Sequence, residues 1–171
     1  MKWKEKCQRI MAVIEDIEFD ERCRLDMNLW GQTDTKFEDA TDWDNGVSDA
    51  VAKREWDRPS CDTVACLAGW SSITPYVRKH IPDRFCTSMD VRNPRTRKVV
   101  TQKVVTPSNL SRWLAFETPG VDRGMVFNAI FDIGLQRSTK ALTLNNLKDE
   151  LTKLFHNGGG TGKLVGWTGW E

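Results

Sequence analysis

The sequence predicts a single, mainly α-helical α+β domain with a small β-hairpin, spanning 1–157 and followed by a Gly/Trp-rich tail at 158–171. Three observations carry that expectation. Apolar residues recur at helical spacing near the N-terminus, they do so again through the last third of the chain, and between them lies a segment of paired valines behind an Asn-Pro turn signal. The chain has 171 residues, the size of one domain, and 39% hydrophobic with 29% charged residues is an ordinary globular composition.

Taken in order, Trp3, Cys7, Ile10, Ile14 and Ile17 alternate steps of four and three residues, which predicts an amphipathic helix over 2–18 with one buried face. The pattern lasts only about two heptads, short of a coiled coil, so packing within the domain is expected. Residues 19–60 are polar and acidic with no sustained period, and predict loop with short helical turns. Within them Asp42, Asp44 and Gly46 have the look of a calcium loop, but the glutamate that such a loop needs to close it is absent. Calcium is not expected.

Residues 61–73 form the next apolar run, read as a buried short helix, with a second over 76–80 that Pro82 stops. Between 92 and 105, Asn93-Pro94 and the pairs Val99-Val100 and Val104-Val105 predict the hairpin. Pro107 after Thr106 opens a helix with Leu110, Trp113, Leu114 and Phe116. Pro119 starts another with Val121, Met125, Val126, Ala129, Ile130 and Ile133, ending at Gly134. Thr143 then caps a helix of Leu144, Leu147, Leu151, Leu154 and Phe155 that stops at Asn157 and the glycine run Gly158-Gly159-Gly160. The tail beyond is either disordered or held by Leu164, Val165, Trp167 and Trp170.

Lys and Arg total 25 against 24 Asp and Glu, so the net charge of +1 gives no global field for nucleic acid or an anionic membrane. The uncharged stretch 10–14 is too short for a signal-peptide core or a membrane span, so a cytoplasmic location and no membrane partner are expected. Five cysteines, Cys7, Cys23, Cys61, Cys66 and Cys86, make no even framework of disulfides, and free thiols are expected.

Four segments bear on chemistry. Cys61, at the start of the expected helix 61–73, is a candidate nucleophile whose thiol a helix dipole would activate, with His80 or His156 as its base. Cys66 joins Cys61 as a candidate metal ligand, although C-x4-C is wider than a zinc knuckle. The tail HNGGGTGK has phosphate-loop glycines and Lys163, but Leu164 follows the lysine and no strand precedes it, so no NTPase is expected. The basic run Arg92, Arg95, Arg97, Lys98 and Lys103 on the hairpin suits an acidic protein, a nucleotide phosphate or nucleic acid. Eight tryptophans exceed what a core of this size needs, which marks Trp30, Trp43, Trp70, Trp167 and Trp170 as candidate surface anchors.

The elements Leu25-Asp26-Met27-Asn28-Leu29-Trp30 and Cys61-Asp62-Thr63-Val64-Ala65-Cys66-Leu67-Ala68-Gly69-Trp70, with Trp113-Leu114 later, resemble those of a group of uncharacterised bacteriophage and bacterial proteins. In that group the elements read D-M-x-x-W and C-G-T-x-x-C-[IL]-A-G-[HW]; this chain has Asp62 for the usual glycine and Trp70 where histidine is frequent. The resemblance covers about half the chain and implies a phage or bacterial origin. Few acid–base groups and surplus tryptophans then make a non-enzymatic phage accessory binding protein the expectation. Its partner would be a host protein or a small ligand, without a cofactor, and inhibition of a host defence system would fit. A Cys61-dependent hydrolase and a nucleic-acid binder using 92–103 are the alternatives.

Overall fold

The first helix, α1 (Trp3–Phe19), forms where the periodicity placed it, but it is buried on more than one side. Met11, Ala12 and Val13 are as inaccessible as Ile10 and Ile14, because helices pack around its middle from several directions. The computed structural model describes residues 1–19, 24–27, 64–92, 99–132 and 139–165. Among these lie α2 (Leu67–Ile73), α3 (Pro75–Arg78), α4 (Pro107–Ala115), α5 (Arg123–Ile130) and α6 (Lys140–Asn157). A 3-10 turn, Asp83–Phe85, follows α3. The architecture is mainly helical α+β around one core, in which α1 lies along α6, α5 bridges α4 and α6, and α2 closes against α1 and α4.

Two small sheets lie among the described residues. Residues β1 (Arg24–Leu25) and β2 (Val64–Ala65) pair in parallel, and β3 (Thr87–Arg92) pairs antiparallel with β4 (Val99–Val104) from Thr87 opposite Val104 to Arg92 opposite Val99. The hairpin therefore starts earlier than the valine pattern indicated: β3 is polar and is a strand because β4 supplies its partners. Ser72 ties this hairpin to α2. Its hydroxyl donates to Val105 O at 2.9 Å and accepts from Val105 N at 3.3 Å.

Three helix starts differ from expectation, each for a local reason. The helix in the 61–73 run begins only at Leu67, with Cys66 at its N-cap, because Val64 and Ala65 are engaged in the strand pair with β1. Asp122, not Pro119, caps α5, its carboxylate accepting the Met125 N–H at 2.8 Å. Thr139, not Thr143, caps α6. Thr143 sits in the first turn and donates to Thr139 O at 3.1 Å. By contrast Thr106 caps α4 as the Thr-Pro pair indicated, in a capping box with Asn109.

The tail's first glycines are packed. After α6 the Gly159 N–H donates to His156 O at 3.0 Å and Gly160 N–H to Phe155 O at 2.9 Å, with Gly159 at φ +80, the pattern of a Schellman stop. Trp3 Nε1 donates to the same Phe155 carbonyl at 2.8 Å, so the N-terminal helix closes the C-terminal one. A Cβ on Gly158 would meet the Trp3 indole at 2.3 Å, and one on Gly160 the Phe155 ring at 2.4 Å. Leu164 is partly buried against the core while Val165 is exposed.

Candidate functional site

Of the sequence-predicted site residues, Cys66, Trp70, His80, Arg92 and His156 fall among the described residues. Cys61, Trp30, Trp43, Trp167, Trp170, Arg95, Arg97 and Lys98 lie outside the described residues. Arg92 closes β3 opposite Val99. The helix described in the 61–73 run, α2, begins at Leu67, and the thiol at its N-cap is Cys66. Cys66 is only 1% exposed. Burial pushes its pKa up to about 11, against the opposing pull of the Gly69 and Ala68 backbone at the head of α2. Cys66 is therefore a protonated core thiol, not an activated one.

The two histidines occupy separate settings. His80 is half-buried in the turn after α3, where burial first, then the charges of Arg9 and Lys79, hold its pKa below the ordinary value. His156 is exposed in the last turn of α6 with Nδ1 3.0 Å from Gly160 O, which commits the ring to the helix stop. Among the described residues no group of three or more His, Cys, Asp or Glu side chains is placed to hold a metal ion.

Trp70 corrects the expectation of a surface anchor. It is 3% exposed and belongs to the core. Trp113 is likewise buried and Trp3 half-buried, so the three described tryptophans serve packing rather than an interface.

A different set of residues converges in a cleft of about 400 Å³ between the 3-10 turn, α4 and the start of α5. Its floor is aromatic. Phe85, buried, meets Phe116, 36% exposed, edge to face at 5.2 Å. Arg84, Arg112 and Arg123 line it as well, all three exposed. The Arg84 guanidinium lies 4.5 Å from the Phe116 ring centre and 5.1 Å from that of Phe85, and the Arg112 guanidinium is 5.8 Å from Phe85. The Arg123 Nη2 donates to Ser108 Oγ.

What these guanidiniums lack is as informative as what they touch. Among the described residues no carboxylate pairs with Arg84, Arg112 or Arg123. Asp122 also lines the cleft, but one of its oxygens is engaged by the cap of α5. Nearby Arg78 and Lys103, by contrast, both pair with Asp83, at 3.8 and 2.5 Å. A guanidinium resting on a ring face is held by the ring quadrupole and keeps its N–H edges for another acceptor.

Beneath the cleft lies Lys6, the one buried lysine of α1. Its Nζ donates to Trp113 O at 2.9 Å and Phe116 O at 2.8 Å, at the C-terminal end of α4 where a cation suits the helix dipole. Burial lowers its pKa from the ordinary lysine value, and the Glu117 carboxylate works against that. Glu117 takes a left-handed φ of 56° directly after the Phe116 cap.

Sequence reading missed this cleft although part of it was visible. Ser108, Arg112 and Phe116 recur every four residues along α4 and its cap, opposite the apolar stripe that drew attention. Arg84 and Arg123 join from elements that only the tertiary fold brings there. Fold and cleft together define a small helical α+β domain with a cationic, aromatic-floored recess. Neither family models, curated proteins nor solved structures give a match to this chain.

Proposed function

We propose that this chain is a non-enzymatic binding protein that engages an anionic partner through the Arg84–Arg112–Arg123 cleft. In the phage setting implied by the resemblance of the 25–30 and 61–70 elements, that partner is a host protein. The observation that carries the proposal is the set of three exposed guanidiniums seated on rings and a serine hydroxyl with no carboxylate partner among the described residues. Such donors are strong hydrogen-bonding groups for carboxylate or phosphate, and the recess is of a size that takes a ligand group or an anchoring side chain.

Cys61, the nucleophile weighed from the sequence, lies outside the described residues, and the described thiol of that run, Cys66, is a buried core residue. The test is an NMR titration of the arginine Nε–Hε signals with poly-L-glutamate at low salt. Saturable shifts are expected at Arg84, Arg112 and Arg123, weakening as salt rises, with none at Arg78, which is already engaged by Asp83. Signals that stay in place at all three cleft arginines would rule the proposal out.

A further inference from the structure

The cleft is ordered from floor to rim. Phe85 is 4% exposed and Val121 7%, and with Ala115 and the Phe116 ring they make its deeper part apolar. The side chains of Arg84, Arg112 and Arg123 are exposed and belong to the rim. The two levels adjoin: the Arg84 guanidinium stands 4.5 Å from the Phe116 ring centre and 5.1 Å from that of Phe85, and the Arg112 guanidinium 5.8 Å from Phe85. A ligand group that uses both levels carries its anion directly beside an apolar body and enters with the apolar body first.

We infer that the partner enters this cleft with its C-terminus: the last residue of a polypeptide, a large apolar side chain such as that of phenylalanine or leucine on the floor, and the free α-carboxylate held by the rim arginines. The inference rests on the anion-binding proposal for the same cleft and adds which carboxylate is read. In a C-terminal residue the carboxylate and the side chain branch from one Cα, so the anion stays at backbone level while the side chain descends. There it can receive two-pronged guanidinium hydrogen bonds. Glutamate and aspartate side chains reverse the order, since the carboxylate is their tip and nothing apolar lies beyond it. Phosphotyrosine reverses it too, with the phosphate leading and the ring behind. A single-stranded nucleotide would lead with its base and leave the phosphate outside. The polar edges of a base, however, would meet no polar side chain on a floor of Phe85, Ala115, Phe116 and Val121, and would lose their hydrogen bonds to water uncompensated.

The experiment uses the full chain and fluorescein-labelled probes read by anisotropy. The first is a glycine-serine peptide, labelled at its N-terminus, that ends in phenylalanine with a free carboxylate. The second ends in glutamate and phenylalanine amide, which keeps the charge and the ring but moves the carboxylate to a side chain. The third is the free acid ending in glycine, the fourth an amidated peptide with one central phosphotyrosine, and the fifth a single-stranded oligothymidylate. The first probe is expected to bind at least about tenfold tighter than the second, because a misplaced charge-assisted pair costs about that factor or more. It should bind at least about fivefold tighter than the third, which leaves the apolar floor uncovered.

Arg112→Ala is expected to weaken the first probe by about tenfold. Arg112→Lys, which keeps the charge and loses the planar fork, should weaken it several-fold, and Lys153→Gln, outside the cleft, should leave it unchanged. Equal binding of the first and second probes, both lost when Arg84, Arg112 and Arg123 are all replaced by alanine, overturns the reading of a C-terminus while the anion cleft stands. Equal binding of the first and third overturns the apolar side chain. Tighter binding of the phosphotyrosine peptide or of the oligothymidylate overturns the choice of ligand. Failure of every probe, or binding indifferent to the arginines, removes both the inference and the proposal beneath it.

Discussion

Replacing Gly158 by alanine should break the closure between the two ends of the fold. Gly158 has φ −82°, which any residue adopts, so the backbone itself raises no objection. The obstacle is the Trp3 indole, whose Nε1, Cε2 and Cδ1 would lie 2.3, 2.6 and 2.8 Å from the new Cβ. The ring must retreat by about 1 Å, enough to take its Nε1–H off the Phe155 carbonyl it now reaches at 2.8 Å. Overpacking of this kind costs about 1–3 kcal/mol, and the lost hydrogen bond about 0.5–1.5 kcal/mol. Loss of glycine entropy from the unfolded chain offsets about 0.4–1 kcal/mol. The net loss is therefore about 2 kcal/mol, measured by urea unfolding followed by circular dichroism. The cause is isolated by repeating the substitution in a Trp3→Ala background, where Gly158→Ala should be neutral or mildly stabilising. Gly159→Ala is the control: it meets nothing within 4 Å but sits at φ +80, so it should cost about 1 kcal/mol in both backgrounds. If Gly158→Ala costs the same with and without Trp3, the tail is not seated on that indole and the reasoning fails.

Asp16→Asn should remove from the acid range a loss of stability with rising pH. Burial raises the Asp16 pKa above its ordinary 3.8, with the Tyr76 hydroxyl bond at 2.5 Å working against that; the native state thus binds the extra proton, and stability present below 3.8 is lost as pH rises through the raised value. Urea midpoints across the acid range that keep the same slope in the variant would refute this. Cys66 should alkylate with iodoacetamide at neutral pH about 100-fold more slowly than an unperturbed thiol, since its pKa stands near 11 rather than 9.0; peptide-resolved mass spectrometry reads the rate, and a free-thiol rate would contradict its burial. Lys6→Met removes both hydrogen bonds to the end of α4, so the Arg84 Nε–Hε signal, which depends on Phe116, should move or broaden while that of Arg123, fastened to Ser108, stays. Equal response of both signals would show that Lys6 does not hold Phe116 in place.

The elements legible in the sequence were those whose signals are local. The spacing from Trp3 to Ile17, the Thr106-Pro107 cap and the leucines from Leu144 to Phe155 each fix a helix without reference to anything distant. The errors fall where distance decides. Val64 and Ala65 are strand because Arg24 and Leu25 lie beside them, and no local pattern over 61–73 contains that pairing. The strand Thr87–Arg92 has too few apolar residues to announce itself, and its identity is conferred by β4. Thr139 was passed over as a cap because the turn it opens carries exposed Ala141 and Leu142, so the apolar count began one turn late. The cleft was half legible: Ser108, Arg112 and Phe116 were readable as one helix face, whereas Arg84 arrives from the 3-10 turn and Arg123 from the start of α5, whose positions only packing determines.

The cations around Phe85 and Phe116 divide by what their donors are doing. Lys6 is near the same rings, 5.7 Å from that of Trp113 and 5.9 Å from that of Phe116, yet two of its three N–H bonds go to carbonyls at the end of α4 and the side chain is buried. It therefore supports the cleft and has little left to offer a partner. Arg84 and Arg112 are held in place by ring faces, a mode that fixes the guanidinium plane without consuming its edge. Had Asp or Glu held them, as Asp83 holds Lys103, a ligand carboxylate would have to displace a protein carboxylate of the same strength and little net affinity would remain. Seating the arginines on phenylalanine avoids that exchange: the side chains are already restrained, so less entropy is lost when an anion arrives, and the new hydrogen bonds replace only water. The same arrangement predicts sensitivity to geometry more than to charge, which is why Arg112→Lys, neutral in charge count, is the substitution that separates a built recognition surface from a merely positive one.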